Sequence, residues 1–95
     1  AEGKDIVAVA EGSAIYADWF KGYGRLIILD HGGGYFTLYA HASELLVRSG
    51  ESVSRGQVIG KVGETGSLEG PQLYFEVRYK GKPQDPLAWL QPRTP

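Results

Sequence analysis

The chain has 95 residues and a nearly balanced charge, with ten Lys and Arg against eleven Asp and Glu, so its net charge is -1. This length allows one domain with one compact core, and the balanced charge without a basic run excludes phosphate-driven nucleic-acid binding as the default function. The absence of Cys excludes disulfides, thiolate metal sites and Cys nucleophiles, and no apolar run approaches the ~20 residues of a membrane-spanning helix.

Fourteen Gly, six Tyr and many Val and Ile residues predict an all-β domain of short strands joined by Gly-rich turns. The predicted strands, in chain order, are 5–9, 13–17, 25–30, 35–40, 57–62 and 72–79. Residues 41–47 are compatible with one helical turn, because Ser43 can cap it and two Leu residues follow. After Tyr79 the segment 80–83 is predicted to reverse the chain.

The third and fourth predicted strands form a hairpin around a Gly-rich turn. If Asp30 pairs with Tyr35, the numbers of paired residues sum to 65. His41, which follows the fourth predicted strand, then lies beside Tyr23. His31 then stays at the turn, separated from His41 by extended chain of roughly 30 Å. The two histidines are the only ones in the sequence, so they cannot share one metal ion, and the chain cannot assemble a His-rich zinc site.

The last long strand alternates between apolar and polar residues. One face carries Leu73, Phe75, Val77 and Tyr79, and the other carries Gln72, Tyr74, Glu76 and Arg78. The simplest interpretation is a half-buried antiparallel strand whose polar face is solvated. A binding face is the alternative, and alternation by itself leaves both open.

Five blocks of sequence follow one another at characteristic spacing along nearly the whole chain. They are YGRLIILDHG (23–32), YFTLYAH (35–41), GQVIG (56–60), GETG (63–66) and GPQLYFEVR (70–78), and Asp85-Pro86 follows them. Together they resemble the LytM or lysostaphin-type peptidoglycan endopeptidase domain. The resemblance implies a small, mostly antiparallel β-sheet that forms a groove or open barrel.

A second, shorter resemblance concerns the turn at 50–56, which is similar to a turn of lipoyl carrier domains. It implies a relation to the barrel-sandwich fold of those domains. Neither Lys61 nor Lys80 lies in the flanking sequence that a cofactor-bearing Lys needs, so no cofactor is expected.

Active members of the LytM family are zinc metallopeptidases that cut peptide cross-links in the bacterial cell wall. The resemblance implies zinc ligands from an upstream His-x-x-x-Asp pair and from the second His of a His-x-His motif. The first His of that motif and a separate His assist catalysis. Here His41 matches the separate His, whereas Gln72 and Tyr74 replace the two His of His-x-His. Asp5 lies inside a strand block and is no substitute for the upstream pair, which should precede Gly3.

This departure predicts that the domain is not an enzyme and holds no metal. A neutral Gln cannot act as the general acid or base that imidazole provides near pH 7, and a phenol with a reference pKa of ~10 is a poor zinc ligand. Losing a ligand and a catalytic group together leaves no route to a zinc-activated water. His31 matches a family His that has no metal-binding or catalytic role.

A subset of the family lacks the metal ligands and activates other cell-wall hydrolases. The chain most resembles its EnvC-type murein hydrolase activators, through residues 17–24, 73–78 and 86–90. The resemblance implies that the former substrate groove binds a zinc N-acetylmuramoyl-L-alanine amidase and relieves its autoinhibition. The expected location is the periplasm or another part of the cell envelope, and the expected process is daughter-cell separation.

Tyr and Arg residues mark the expected partner-binding groove, because such residues are enriched where protein surfaces dock. Tyr39 and His41 are expected to share a face by strand alternation. The full set is Tyr23, Tyr39, His41, Gln72, Tyr74 and Arg78. Two alternatives from other classes stay open: an endopeptidase with atypical zinc ligands, and a plain peptidoglycan-binding domain.

The expected core consists of apolar residues on the predicted strands, namely Leu26, Ile28, Phe36, Leu38, Ile59, Leu73, Phe75 and Val77. Which face of 25–30 points inward is left open, because apolar residues occupy both faces. Residues 1–95 are expected to form a single degenerate LytM-type domain. Its abrupt entry into an apolar strand suggests the C-terminal part of a longer protein that lacks its N-terminal strand or strands here.

Overall fold

The computed structural model describes residues 3–63, 73–80 and 82–84. This part of the chain forms β1 (Asp5–Val7), β2 (Gly12–Phe20), β3 (Gly24–Gly32), β4 (Tyr35–Leu45), β5 (Ser52–Val53), β6 (Val58–Val62), β7 (Tyr74–Tyr79) and β8 (Lys82–Gln84). The predicted all-β class is confirmed, and so is the predicted chain reversal after Tyr79, because β7 and β8 are antiparallel neighbours. Within these residues, no helix has the length and apolar character needed to cross a membrane.

The strands form one curled antiparallel sheet in the order β1-β6-β4-β3-β2-β5, with β7 between β4 and β8. Along one edge, β4 pairs first with β7 and then with β6. Ala40 pairs with Tyr74 of β7, whereas Ala42 pairs with Val62 of β6. The exchange takes place at His41, whose φ of 64° breaks the regular strand. The backbone N–H of His41 donates to the carbonyl of Tyr23 at 2.9 Å, so the predicted proximity of these two residues is confirmed.

The register of the β3–β4 hairpin differs by one residue from the prediction. Asp30 pairs with Phe36, so the numbers of paired residues sum to 66 along the middle of the hairpin. Two local features set this register. A tight turn at Gly33 and Gly34, which have φ values of 64° and 89°, pairs Gly32 with Tyr35, and a bulge between Asp30 and Gly32 then shifts the pairing by one residue. Positive φ at both central residues is typical of a two-residue type I′ turn. The tight turn extends β3 to Gly32, and the prediction that His31 lies at the turn was therefore wrong.

The predicted helical turn at 41–47 is also wrong, because β4 continues to Leu45. Leu45 pairs with Gly60 and Glu44 pairs with Lys61 of β6. Pairing with a neighbouring strand satisfies the backbone of this segment, and it overrides a capping signal that is only local.

Apolar side chains are buried on both faces of β3, which answers the question that the sequence left open. One face contributes Ile27 and Leu29 to the main core, and the other packs Leu26 against Leu38 and Ala40. The main core contains Ile6, Ala8, Ala14, Ile27, Leu29, Tyr39, Ala42, Val47, Val53, Ile59 and Val62.

Most of the predicted core residues lie in one of these two clusters or pack against them. Leu26, Leu38, Ile59 and Val77 are buried, as predicted, and Ile28, Phe36 and Phe75 are half-buried. Leu73 was predicted wrongly, because 39% of its surface is exposed. It precedes the first residue of β7 and so lies outside the paired part of the strand.

Candidate functional site

One face of the sheet, here called the Tyr74 face, carries the polar residues of β7. Tyr74, Glu76 and Arg78 point to this face. Phe75 and Val77 alternate with them on the other face, where Phe75 packs against the main core and Val77 is fully buried. The register of β4 and β7 extends the face to the smaller apolar cluster, because Ala40 pairs with Tyr74, Leu38 with Glu76 and Phe36 with Arg78. The Tyr74 face thus combines an apolar floor with polar side chains from a single strand.

A series of aromatic rings crosses the Tyr74 face from β2 to β4. The centroids are 5.9 Å apart for Tyr16 and Phe20, 5.7 Å for Phe20 and Tyr23, 6.0 Å for Tyr23 and Tyr74, and 6.3 Å for Tyr74 and His41. We call these five residues the aromatic arc. Each spacing lies in the range of favourable edge or offset ring contacts. Phe20 is 48% exposed and Tyr74 is 40% exposed, so the arc is accessible to a partner.

A hydrogen-bonded triad lies beside the arc on β7. The Tyr74 hydroxyl donates to Glu76 Oε2 at 2.6 Å, and Arg78 Nε donates to Glu76 Oε1. The hydrogen bond to Glu76, together with burial, raises the pKa of Tyr74 to about 12. Burial opposes ionisation of Glu76, but the hydrogen bonds from Arg78 and Tyr74 outweigh it and hold the pKa of Glu76 below its ordinary value. At neutral pH the triad therefore contains a neutral phenol, a carboxylate and a guanidinium.

The lowered pKa of Glu76 predicts a specific dependence of stability on pH. A depressed carboxyl pKa contributes stability above the unfolded-state value of about 4.3, and this contribution is lost as pH falls through the folded-state pKa. We expect Glu76→Gln to reduce the loss of unfolding free energy between neutral pH and pH values below about 4. Urea unfolding of wild type and variant across this range measures the effect. Parallel pH profiles for the two proteins would contradict it.

The structure brings together four of the residues that the sequence singled out. Tyr23, His41 and Tyr74 are neighbours in the aromatic arc, and Arg78 joins them through Glu76. Gln72 lies outside the described residues.

Tyr39 was expected in this groove, and the structure corrects that expectation. It is 1% exposed, and its ring centroid lies 5.3 Å from that of Phe75 in the main core. Burial raises the pKa of its hydroxyl, partly offset by hydrogen bonds with Thr37 and Val9. Tyr39 and His41 do not share a face, because the positive φ of His41 interrupts the alternation on which the expectation depended.

His31 belongs to the hydrogen-bond network that surrounds Tyr39. Its Nε2 lies 2.6 Å from Thr37 Oγ1, and its Nδ1 lies 2.7 Å from the carbonyl of Glu11. Thr37 Oγ1 donates to the Tyr39 hydroxyl at 3.0 Å, which also accepts from the backbone N–H of Val9 at 3.2 Å. The network ties the 9–11 segment to β3 and β4, which is a structural role for His31.

Three residues of the Tyr74 face were missed in the sequence. Phe20 was overlooked because the predicted second strand stopped at Ala17, whereas β2 continues to Phe20, and Tyr16 lay within the predicted strand without being assigned to the site. Extending the alternation past Ala17 places both residues on one face. Glu76 was placed on the polar face but not in the site, although its position two residues from both Tyr74 and Arg78 was a usable signal.

The chain is similar in sequence and fold to several known proteins. Peptidase family M23 matches residues 1–86. Murein hydrolase activator EnvC of Escherichia coli is 42% identical over 89 residues, which are 94% of this chain. Murein hydrolase activator NlpD of Salmonella dublin is 44% identical over 93 residues, which are 97% of this chain. The chain spans 21% and 24% of the lengths of these two relatives.

A solved structure with the same fold is the catalytic domain of the antimicrobial peptidase lysostaphin from Staphylococcus simulans. It superposes with a TM-score of 0.88 and 31% identity, over 95% of this chain and 72% of that one. Sequence and fold agree, and the chain belongs to peptidase family M23.

Proposed function

We propose that this domain is a non-catalytic regulator of a murein hydrolase, and that it acts by docking the hydrolase on its Tyr74 face. One observation carries the proposal. At the position where family resemblance implies a zinc-binding His, Tyr74 holds a phenol that donates its proton to Glu76. Tyr74 therefore forms a hydrogen bond within the domain, and the surface around it consists of the other residues of the aromatic arc and Arg78.

The chemistry of this position does not fit the zinc ion of the active enzymes. A phenol binds zinc only poorly, and it must first lose its proton. With a pKa of about 12, Tyr74 keeps that proton at neutral pH. Among residues 3–63, 73–80 and 82–84, no three His, Cys, Asp or Glu residues are grouped closely enough to hold a metal ion. We therefore derive no zinc-dependent step for this domain.

The side chains of the Tyr74 face favour docking of another protein. Tyr and Arg residues dominate the energetics of protein interfaces, because they combine a large contact area with a polar end. The aromatic arc and Arg78 lie on strands or next to a short turn of one hydrogen-bonded sheet, so little backbone freedom is lost when a partner binds.

The names of the relatives narrow the choice of partner. Two of them are called murein hydrolase activators, and this supports a cell-wall regulatory role for the domain. The finer proposal is activation of an N-acetylmuramoyl-L-alanine amidase in the cell envelope during daughter-cell separation. A zinc endopeptidase with atypical ligands and a plain peptidoglycan-binding domain are the outcomes that compete with it.

An amidase assay on dye-labelled cell wall tests the proposal. The purified domain alone should release no dye, and it should increase dye release by a purified autoinhibited amidase. Dye release by the domain alone, together with a stoichiometric zinc ion, would identify an endopeptidase. Sedimentation with cell wall without any effect on the amidase would identify a peptidoglycan-binding domain.

The double variant Gln72→His with Tyr74→His should not restore hydrolysis to the 95-residue chain. The two substitutions supply the His-x-His motif, but the only other histidines of this sequence are His31 and His41. Neither has an Asp four residues later, so the His-x-x-x-Asp pair is still missing and the zinc coordination is incomplete. The measurement is dye release from cell wall with added zinc. Zinc-dependent cleavage by the double variant would overturn this account of the missing ligands.

A further inference from the structure

Glu76 is buried in the Tyr74 face, and both of its carboxylate oxygens are engaged. Only 8% of the residue is exposed. Oε2 accepts a hydrogen bond from the Tyr74 hydroxyl at 2.6 Å, and Oε1 accepts one from Arg78 Nε. A buried charge is unfavourable unless it is paired and hydrogen-bonded. Here each oxygen has its own donor, so the three side chains hold one another in a single arrangement.

The two hydrogen bonds determine what the outer ends of Tyr74 and Arg78 offer to a partner. The single hydroxyl proton of Tyr74 points to Glu76, so the lone pairs of its oxygen are left to accept from outside. Arg78 uses Nε for Glu76, and none of the described residues accepts from its Nη groups. The Arg78 side chain is 36% exposed. The surface therefore presents a hydrogen-bond acceptor next to a cationic edge with several donors.

We infer that Glu76 is a positioning residue of the docking surface, which holds the Nη edge of Arg78 against a carboxylate of the protein partner. The inference rests on the proposed function. An acidic side chain fits this edge, because the planar guanidinium matches the two oxygens of a carboxylate.

Holding Arg78 in advance also raises affinity. An Arg side chain that is free in the unbound protein loses rotamer freedom when it is immobilised at an interface, and this loss weakens binding. Glu76 imposes the orientation before the partner arrives. The two residues lie two positions apart on β7, where Glu76 pairs with Leu38 and Arg78 pairs with Phe36 of β4, so the sheet holds the backbone that carries both side chains.

The test is a double-mutant cycle. Calorimetry measures the affinity of a purified N-acetylmuramoyl-L-alanine amidase for the wild type, Glu76→Gln, Arg78→Ala and the double variant. Gln has the size of Glu but only one carbonyl oxygen, so it cannot serve both donors in the same way. Glu76→Gln should weaken binding about tenfold in the wild-type background. It should have less than about a twofold effect when Arg78 is already Ala, because the effect passes through Arg78.

Thermal unfolding of each variant separates folding from binding. If Glu76→Gln does not fold, Glu76→Asp takes its place in the same cycle, since it keeps the charge and shortens the reach. Equal losses of affinity in the two backgrounds would contradict positioning and indicate a general structural effect. Weaker binding by Arg78→Ala with unchanged binding by Glu76→Gln would contradict this inference alone. Wild-type binding by Arg78→Ala would contradict the docking surface, and with it the proposed function.

The salt dependence of binding tests whether a carboxylate of the partner lies at Arg78. Added salt should weaken the wild-type complex more than the Arg78→Ala complex, because the variant lacks the charge that attracts the carboxylate. Equal salt dependence of the two complexes would exclude a carboxylate at Arg78.

Discussion

Replacing Tyr74 with Ala should weaken binding of the amidase by about 2 kcal/mol or more, which is roughly thirtyfold in affinity. Tyr74 contacts Tyr23 and His41 in the aromatic arc and is 40% exposed, so it supplies contact area near the centre of the proposed surface. Its removal leaves the carboxylate of Glu76 paired with Arg78. We therefore expect a change in unfolding free energy within about 1 kcal/mol. Calorimetric binding and thermal unfolding measure the two effects, and Tyr23→Ala should behave in the same way.

Tyr79→Ala is the matched control, because it removes the same side chain from the same strand on the opposite face. The ring of Tyr79 packs against Tyr35, with centroids 4.4 Å apart, and neither residue belongs to the aromatic arc. Activation of the amidase should be unchanged in this variant. Full activation by Tyr74→Ala would place the interface elsewhere, and loss of the fold in both Tyr74→Ala and Tyr23→Ala would mean that the arc is part of the core.

Arg78→Ala differs from the Tyr variants in its effect on stability. It leaves the buried Glu76 carboxylate without its cation, and an unpaired buried charge is strongly unfavourable. The sequence predicts only a small effect of this change, because Arg78 lies on the polar face of an alternating strand. The burial of Glu76, at 8% exposure, is the reason to expect a larger one.

Gly63→Ala should destabilise the fold by about 2–3 kcal/mol, because it overpacks a buried contact between β4 and the residue that follows β6. A Cβ atom at Gly63 would lie 2.6 Å from the backbone N and 2.7 Å from the Cα of Ser43. Both are backbone atoms, which cannot rotate away as a side chain can. For a domain of this size the melting temperature should fall by about 10–20 °C, which differential scanning calorimetry measures.

Gly33→Ala is the control for the loss of stability expected in Gly63→Ala. A Cβ atom added at Gly33 would have Tyr35 Cδ2 as its nearest neighbour, at 3.9 Å, and the φ of Gly33 is 64°. Only backbone strain of about 1 kcal/mol is therefore expected. A Gly63→Ala variant that is no less stable than Gly33→Ala would show that β4 and β6 can separate without cost.

The sequence predicts the fold well where local patterns and pairing agree. Alternation in 72–79 correctly separates Phe75 and Val77 from Tyr74 and Arg78, and the Gly-rich segment 31–34 correctly indicates a hairpin between the third and fourth predicted strands. The errors lie where the chain departs from regular geometry. The tight turn at Gly33-Gly34 and the bulge between Asp30 and Gly32 together changed the partner of each paired residue along the middle of the hairpin, and alternation within one strand announces neither of them.

The candidate site was predicted less completely than the fold, and for the same reason. Alternation assigned Tyr39 to the groove because it assumes a regular strand up to His41. The bulge at His41 depends on contacts with Tyr23 and Gly63, which are distant in sequence, and no pattern within β4 announces it. Glu76 was not singled out because its burial depends on the neighbours of β7, not on its own position in the strand.

The alternation of β7 has a consequence for how such a domain changes during evolution. The apolar residues of the strand lie on one face, where Val77 is fully buried and Phe75 packs against the main core. Tyr74 faces the other way and is 40% exposed, so packing constrains its identity far less. Selection on the two faces is therefore largely independent. A lineage of this fold can replace the residues that perform one chemistry with residues that recognise a partner, while the strand that carries them keeps its place.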